Sequence, residues 1–226
     1  MSAKISIIIP TLNAQDCLPS CLNALTPGLS AGIIREVIVV DGGSSDKTVA
    51  AAGLAGCRVI SSRPGRGTQL KCGAANAKAD WLLFLHADTA LSSDWPNAII
   101  QQFDRPETAA AFKLKFDSEN RHARWLERRV AQRVKLLGLP YGDQGLFIHR
   151  DLYNEIGGYE DVPLMEDVSI VRRIGKKRLD ILNVDAITSA AKYERDGWRN
   201  RAWRNSFLLT RYLLGADPAR LAKVYN

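Results

Sequence analysis

Two side chains that can bind a metal ion or carry a proton follow the apolar segment 81–85: His86 and Asp88, separated only by Ala87. One carboxylate together with phosphate oxygens is a common set of ligands for Mg²⁺ or Mn²⁺, and such an ion neutralises a nucleoside diphosphate. His86 could be a further metal ligand, a hydrogen-bonding partner of one, or a donor to the phosphate. The alternative is an ordinary buried histidine.

A third candidate is Asp41, which begins the segment DGGSSD directly after the apolar run 37–40. A carboxylate at this place can accept a hydrogen bond from an N–H of a nucleobase. The alternative is structural, because Asp and Ser commonly form turns and N-caps. The two interpretations are compatible, because Asp46 can cap the next helix while Asp41 binds a ligand.

The elements that must position these side chains alternate along the first 90 residues. Apolar runs predict strands, and helical spacing predicts helices between them; the strands are 4–9 (ended by Pro10), 35–41, 57–62 and 81–85, and the helices 16–25, 48–54 and 69–79. This alternation predicts an α/β fold with a doubly wound, mostly parallel mixed sheet and helices on both faces. Because ligands of such sheets bind beyond the carboxyl ends of the strands, Asp41, the loop 63–67 and the pair His86 and Asp88 are expected along one edge.

The second half of the chain has a less regular pattern. It predicts a strand at 109–116, a basic helix at 121–137, a turn into a short strand at 142–150, a helical turn at 151–156, a helix at 167–174 and a strand at 180–185. The tail at 198–214 is amphipathic, basic and aromatic.

Composition limits the classes of protein. The chain has 226 residues, of which 46% are apolar and 24% charged, as in a globular protein. No apolar run approaches the roughly 18–20 residues that span a bilayer, and the first residues lack the features of a signal peptide, so we expect a cytoplasmic protein.

The four cysteines form no Cys-x-x-Cys pair and lie far from the histidines, which argues against a zinc site. The net charge is +7, and residues 195–226 contain seven Lys or Arg against two Asp. Nucleic acid, an anionic membrane and a phosphorylated substrate are therefore all open partners.

Several nucleotide-binding motifs are absent from the sequence. No Gly-x-x-x-x-Gly-Lys-Ser/Thr occurs, which excludes a P-loop hydrolase, and no Gly-x-Gly-x-x-Gly follows the first strand, which argues against a dinucleotide-binding domain. Asp41 is followed by two glycines rather than by the Asp-x-Asp of a haloacid-dehalogenase phosphatase.

Five segments in a fixed order resemble a known family. They are SIIIPTLNA (6–14), EVIVVDGGSSDKT (36–48), GRGTQLKCGAANAKADWLLFLHADT (65–89), GDQGLF (142–147) and GGYEDVPLMEDVSIVRRI (157–174). Over most of 1–195 the chain resembles family 2 inverting glycosyltransferases of the GT-A fold. The sequences FLHADT and PLMED are most similar to a bacterial subgroup associated with radical-SAM and selenodomain proteins.

The resemblance implies a single GT-A domain over 1–226, with a nucleotide-sugar-binding half (1–115), an acceptor half (116–195) and a basic amphipathic tail (196–226). It also implies transfer of a sugar from a nucleotide-diphosphate donor, expected to be a UDP-sugar, to a hydroxyl acceptor with inversion and with the help of Mn²⁺ or Mg²⁺. The implied nucleotide-binding residues are Pro10, Thr11, Asn13, Asp41, Gly43, Arg66 and Gln69. The implied metal ligands are Asp88 and His86, and His86 replaces the first aspartate of the family's Asp-x-Asp element.

An inverting transferase needs a base that takes the proton of the acceptor hydroxyl. By the same resemblance Asp167 is the catalytic base and Glu166 a supporting carboxylate, although the adjacent pair could exchange roles. The alternative for both is helix capping, since acids are favoured at a helix N-terminus. Tyr141, Asp143 and Gln144 are expected to form an acceptor loop, with an ordinary turn as the alternative.

The expected partners are the donor and an acceptor that is either a small molecule or lipid-linked. The tail aromatics Trp198, Trp203, Phe207 and Tyr212 could contact the inner face of a membrane or pack onto the domain. Nucleic acid is not expected, because the tail carries no recognised motif for it. Two other functions stay open: a degenerate nucleotide-sugar-binding protein without turnover, which the His86 replacement suggests, and a nucleotidyltransferase, against which the sequence PTLNAQD after the first strand argues.

Overall fold

A mixed sheet of eight strands lies at the centre of the computed structural model, which describes residues 3–225. The strand order is β3-β2-β1-β4-β7-β6-β8-β5. The strands are β1 (Ile5–Thr11), β2 (Ile34–Asp41), β3 (Arg58–Ser61), β4 (Trp81–Phe84), β5 (Thr89–Leu91), β6 (Ala109–Phe116), β7 (Leu146–His149) and β8 (Leu179–Thr188).

Helices connect the strands and cover both faces of the sheet. They are α1 (Leu18–Asn23), α2 (Thr26–Ser30), α3 (Thr48–Leu54), α4 (Arg66–Asn76), α5 (Trp95–Ile100), α6 (Arg121–Leu137), α7 (Arg150–Glu155), α8 (Glu166–Ile174), α9 (Ala191–Asp196), α10 (Trp198–Leu213) and α11 (Pro218–Tyr225), with single 3₁₀ turns at Gly142–Gln144 and Lys176–Arg178.

The core divides into two main clusters because alternate strand residues point to opposite faces of the sheet. Ile7 of β1 belongs to the cluster that includes Leu18 of α1, whereas Ile8 belongs to the cluster that includes Leu70 of α4 and Val168 of α8. All seven residues of β1 are buried, as expected for a strand with covered faces. The predicted α/β fold, with a mostly parallel mixed sheet and helices on both faces, is confirmed.

Two antiparallel pairings place the second half of the chain beside the first. β7 runs antiparallel to β4 with Leu146 opposite Phe84, so the turn Gly142–Gln144 lies just beyond the carboxyl end of β4. β8 runs antiparallel to β5 with Thr188 opposite Thr89, and the Ser189 amide donates to the Asp88 carbonyl over 3.2 Å. Residues 86–89 are therefore held between two segments that follow them by more than fifty residues.

The structure corrects several predicted boundaries. Pro10 does not end β1 but lies within it, opposite Val40 of β2. The ladder between β1 and β4 stops at Ile8 and Phe84, so the missing N–H of Pro10 falls where β4 needs no donor. The helix predicted at 69–79 begins at Arg66, and the one predicted at 16–25 is shortened to α1.

Five elements were not predicted at all: α2, β5, α5, α9 and α11. Within residues 3–225, none of the helices combines the length and the apolar character that crossing a bilayer requires.

Candidate active site

A cleft of about 140 Å³ opens beyond the carboxyl end of β4. Six residues that the sequence predicted for the site line it, from four separate parts of the chain: Arg66, His86, Asp88, Tyr141, Asp143 and Asp167. The sheet edge predicted for ligand binding therefore does gather these side chains.

The floor of the cleft is built where α8 meets the turn Gly142–Gln144. The Gly142 amide donates to Oδ2 of Asp167 over 2.8 Å, and the Val168 amide donates to Oδ1 over 2.8 Å. A Cβ atom on Gly142 would lie 2.5 Å from Nε2 of His86, which is closer than side-chain carbons approach. Glycine at 142 thus permits Asp167 and His86 to lie on either side of the same backbone segment.

His86 is neutral at physiological pH. Burial and the positive charge of Arg66 together lower its pKa to about 4, and the negative charges of Asp88 and Asp167 only partly oppose this. A neutral imidazole keeps a lone pair on one ring nitrogen, and this is the form that coordinates metals.

Asp88 presents its carboxylate to the cleft, with 25% of its side chain exposed and Nζ of Lys192 at 3.4 Å from Oδ2. The carboxylate supplies the oxygen donor that Mn²⁺ and Mg²⁺ prefer, whereas the imidazole nitrogen of His86 is a softer donor that suits Mn²⁺ better than Mg²⁺. Among the residues the structure describes, His, Cys, Asp and Glu form no group of three or more arranged to hold a metal.

Asp143 is a further carboxyl group in the cleft, and its Oδ1 atom is buried without a hydrogen-bond partner among the described residues. Its pKa is raised to about 6, mainly by burial; the charge of Arg133 opposes the rise, and the charges of Asp167 and Asp88 contribute to it. Burial likewise raises the pKa of Tyr141 to about 12, and the Arg133 guanidinium lies 3.5 Å from the centre of that ring. Tyr141 is thus a hydroxyl donor at neutral pH.

Glu166 occupies a different position from its neighbour Asp167. Its side chain is 1% exposed and does not line the cleft. Oε1 pairs with Nε of Arg66, whereas Oε2 is buried without a hydrogen-bond partner among residues 3–225. Burial raises the pKa of Glu166, and the charge of Arg66 opposes that rise. Glu166 therefore pairs with Arg66 outside the cleft lining, while Arg66 itself lines the cleft.

Asp41 lies at the carboxyl end of β2, outside the cleft lining. Its carboxylate accepts four hydrogen bonds: from the Gly43 amide (2.9 Å), the Ser44 amide (2.8 Å), the Ser44 hydroxyl (2.5 Å) and the Thr11 hydroxyl (3.2 Å). Burial opposes ionisation, but the hydrogen bonds from Ser44, Gly43 and Thr11 outweigh it and hold the pKa of Asp41 below its ordinary value.

The other predicted nucleotide-binding residues surround Asp41 at the ends of β1 and β2. Nε2 of Gln69 donates to the carbonyls of Thr11 (2.8 Å) and Val40 (2.7 Å), which ties α4 to both strands. Asn13 adopts a left-handed backbone with φ of 51°, and its Oδ1 accepts from the Ser45 amide over 2.9 Å. Pro10 is buried in the strand before Thr11, and Gly43 has a φ of 96° that favours glycine. These residues form a second cluster, on the strands next to β4.

The sequence did not indicate the wall of the cleft opposite β4. That wall comes from the end of β8 and from α9 and α10, and its residues are Thr188, Ser189, Lys192, Tyr193, Arg201, Asn205 and Leu208. The basic segment RDGWRNRAW was the one available signal, but its position depends on the pairing of β5 with β8.

The tail aromatics divide into two groups. Trp198 is 7% exposed, and its ring lies edge-on to Phe116 (5.1 Å between centroids) and stacked on Tyr193 (5.2 Å). Trp203 is 74% exposed, and Phe207 is also exposed. Packing onto the domain is thus confirmed for Trp198, and membrane contact by the exposed pair stays a prediction.

Comparison with known proteins shows which family the sequence matches. The profile described as glycosyl transferase family 2 matches residues 6–160. A glucosyl-3-phosphoglycerate synthase of Mycolicibacterium paratuberculosis is 34% identical over 93 residues, which are 37% of this chain and 28% of that protein. A PGL/p-HBAD biosynthesis glycosyltransferase of Mycobacterium bovis is 39% identical over 93 residues, covering 38% of this chain and 36% of that protein. The matched segment thus spans about a third of these relatives.

A solved structure shares the fold. It is the glucosyl-3-phosphoglycerate synthase of Mycobacterium tuberculosis in complex with Mn²⁺, UDP-glucose and phosphoglyceric acid, with a TM-score of 0.55 and 23% identity over 80% of this chain and 69% of that one.

Proposed function

The chain belongs to glycosyl transferase family 2, and from that membership we propose that it transfers a sugar from a UDP-sugar to a hydroxyl group of an acceptor, with inversion at the anomeric carbon. The observation that carries the proposal is the single cleft in which Arg66, Asp88 and Asp167 meet. The solved complex of the mycobacterial synthase with UDP-glucose, Mn²⁺ and phosphoglyceric acid supports a UDP-sugar donor and a small acceptor.

Asp88 and His86 are the residues proposed to hold a divalent cation. The carboxylate of Asp88 is accessible from the cleft, and burial keeps the imidazole of His86 neutral. When bound, a Mn²⁺ or Mg²⁺ ion supplies positive charge that stabilises the diphosphate. Lys192 pairs with Asp88 in the structure and would have to move aside from that carboxylate.

Asp167 is proposed as the base. Its two carboxylate oxygens are oriented by the amides of Gly142 and Val168, and each oxygen retains a lone pair for an acceptor hydroxyl. The acceptor oxygen forms its bond to the anomeric carbon as the bond to the diphosphate breaks, and the hydroxyl proton passes to Asp167.

Arg66 is proposed to offset the negative charge of the departing UDP, with Glu166 as the group that positions it. Glu166 has no access to the cleft, so it cannot take a proton from an acceptor there. The pair therefore has two roles: Asp167 faces the acceptor, and Glu166 fixes the arginine that faces the diphosphate.

The cluster around Asp41 is proposed to receive the nucleoside, with Pro10, Thr11, Asn13, Gly43 and Gln69 shaping the pocket. The Asp41 carboxylate already accepts four hydrogen bonds, which is about its full capacity. A uracil N–H can join it once the Ser44 hydroxyl rotates away, because that bond is made by a rotatable O–H group. The backbone amides would continue to hold the carboxylate ionised.

The acceptor is proposed to enter between the turn Gly142–Gln144 and helices α9 and α10, past Tyr141, Asp143 and Tyr193.

A more specific proposal is that the acceptor is lipid-linked and that the enzyme is cytoplasmic and binds the inner face of a membrane. Exposed Trp203 and Phe207, beside the arginines of α10, support it. Cosedimentation with anionic vesicles tests it, and equal binding of the Trp203→Ser/Phe207→Ser variant would remove it. The sequences FLHADT and PLMED support placement in the radical-SAM-associated subgroup.

Calorimetric titration with UDP, in the presence and absence of Mn²⁺, tests the donor and metal assignments. We expect saturable binding that depends on Mn²⁺ and is lost in Asp88→Asn. Asp94→Asn is the matched control, since Asp94 is an exposed aspartate that makes no capping hydrogen bond. Equal binding by the Asp88 variant and the wild type would show that the metal is held elsewhere.

Binding without turnover is the second candidate function, and the histidine at position 86 favours it. A panel of UDP-, GDP- and dTDP-sugars, assayed for nucleotide release with Mn²⁺ and a hydroxyl acceptor, separates the two. Transfer with an inverted product supports the enzyme, and donor binding without release across the panel supports the degenerate protein. Pyrophosphate release from a nucleoside triphosphate would instead indicate a nucleotidyltransferase.

A further inference from the structure

A second cavity lies away from the cleft, between helix α6 and the neighbouring strands β6 and β8. It has a volume of about 670 Å³ and shares no lining residue with the cleft. That volume lies within the range of pockets that bind small ligands. We call this cavity the α6 groove.

The floor of the α6 groove is apolar. Val130 and Val134 of α6 face Leu114 of β6 and Leu179 and Ile181 of β8. Ile181 is exposed although it lies within a strand, so α6 leaves part of this sheet face uncovered. An uncovered apolar floor inside a concave site favours a ligand with an apolar body.

The rim of the α6 groove is strongly cationic. Its charged side chains are six cations, Lys113, Lys115, Arg124, Arg128, Lys135 and Lys176, against two acids, Glu127 and Asp185. Lys115 pairs with Asp185, and Arg124 with Glu127. Arg128 and Lys135 are seven residues apart on α6, hence on one side of the helix, and neither has an ion pair within residues 3–225. An anionic group fits this rim.

One buried polar side chain, that of Gln144, also lines the α6 groove. Gln144 is 2% exposed. Its Nε2 donates to the Phe112 carbonyl over 2.8 Å, but its Oε1 has no hydrogen-bond partner among the described residues. An orphaned buried oxygen costs free energy unless a donor reaches it. A hydrocarbon chain is not a donor, so the case for an amphiphilic ligand rests on the apolar floor and the cationic rim.

We propose that the α6 groove is a binding site for a monomeric, single-chain amphiphilic anion, such as a lipid monophosphate. The hydrocarbon chain lies on the apolar floor, and the phosphate lies between Arg128 and Lys135. The inner end of the ligand reaches Gln144, the neighbour of Asp143 in the active-site cleft. An occupied groove thus contacts the back of the turn that carries Tyr141 and Asp143. A free molecule is favoured over a bilayer because the cation rim surrounds a concave cavity rather than a flat face.

Dodecyl phosphate, kept below its micelle-forming concentration, is the probe, and its binding is measured by calorimetry. We expect saturable binding of one molecule per chain. Arg128→Glu/Lys135→Glu should weaken it roughly tenfold or more, because each lost charge-assisted contact is worth about that factor. The matched control is Arg121→Glu/Arg129→Glu, which makes the same change in charge on the same helix with two residues outside the groove; its affinity should stay within about twofold of the wild type.

A steric variant keeps the test independent of charge. Ala131 lines the groove and is exposed, so Ala131→Phe fills the cavity without disturbing the core and should also weaken binding. The proposal is overturned by equal affinity for uncharged dodecyl maltoside, by equal losses in the two double variants, or by binding to anionic vesicles without binding to monomeric dodecyl phosphate. UDP titration in the same samples reports on the cleft separately, so failure of one proposal leaves the other measurable.

Discussion

At the scale of single residues, the carboxyl groups in and beside the active-site cleft have sharply different environments. Asp41 is saturated with hydrogen bonds and has a lowered pKa, whereas Asp143 has an orphaned buried oxygen and a pKa raised to about 6. Glu166 and Asp167 are adjacent, yet one is buried against Arg66 and the other faces the cleft. The sequence offered both members of the pair, and the structure distinguishes them because successive helix residues point about 100° apart.

Asp143→Asn should stabilise the protein at neutral pH. The pKa of the folded state lies above that of the unfolded chain, so the contribution of Asp143 to stability is present below about pH 4 and is lost as pH rises through about 6. Asparagine cannot ionise, so we expect a gain of about 1–3 kcal/mol in the free energy of unfolding at pH 7.5 and little change at pH 4. Urea unfolding at both pH values measures this. A loss of stability at pH 7.5 would mean that the carboxylate is satisfied in the folded protein.

Asp167→Asn and Glu166→Gln should affect different kinetic constants. Loss of the base should lower kcat by about 10²–10⁴ with little change in the Kd for UDP. Loss of the charge that positions Arg66 should mainly weaken donor binding, by roughly tenfold, since a hydrogen bond to a charged group is worth about 1.5–3 kcal/mol. Steady-state kinetics and UDP calorimetry separate the two effects. The reverse pattern would exchange the roles of the adjacent acids.

At the scale of secondary structure, the active site depends on contacts that join elements far apart in the chain. The sequence predicted β6, α3 and α6 with the bounds that the structure has, because the spacing of apolar residues is a local property of each segment. It did not predict β5, whose three residues form a strand only by pairing with β8 about a hundred residues later. The wall formed by α9 and α10 was missed for the same reason.

Gly67→Ala and Gly53→Ala should change stability in opposite directions. Both glycines lie in helices, but a Cβ at 67 would lie 2.3 Å from the Glu160 carbonyl oxygen, whereas one at 53 meets nothing within 4 Å. We expect a loss of about 1–3 kcal/mol for Gly67→Ala, because α4 must move away from the segment before α8. Gly53→Ala should gain about 0.5–1 kcal/mol. Denaturant unfolding measures both, and a neutral Gly67→Ala would show that this contact is loose.

Trp198→Ala and Trp203→Ala provide a matched comparison on α10. Trp198 packs between Phe116 and Tyr193, so its removal should cost about 3–5 kcal/mol. Trp203 is exposed, and its removal should change the free energy of unfolding by no more than about 0.5 kcal/mol. Chemical denaturation compares them. Similar costs for both would mean that Trp203 is buried in solution, for example by a second chain.

At the scale of the whole molecule, the order of the strands places the residues of the candidate site next to one another at one edge of the sheet. β2 with Asp41, β1 with Thr11 and β4 leading to Asp88 are consecutive strands in the order β2-β1-β4, and β7 then brings the turn 142–144 and Asp167 to the same edge. The sequence predicted this edge, because strand and helix alternation defines where parallel strands end. It could not predict that Asp41 lies outside the enclosed cleft, since that depends on how far α4 and α8 close over the sheet.

The central claim is that this edge binds a cation-bridged UDP, with the uracil near Asp41 and the metal at Asp88. A crystal structure of the protein with UDP and Mn²⁺, recorded where manganese scatters anomalously, tests it most directly. We predict an anomalous peak bonded to the Asp88 carboxylate at about 2.0–2.2 Å, with the diphosphate between it and Arg66. A peak away from β4, or a UDP molecule bound on another face of the sheet, would contradict the account.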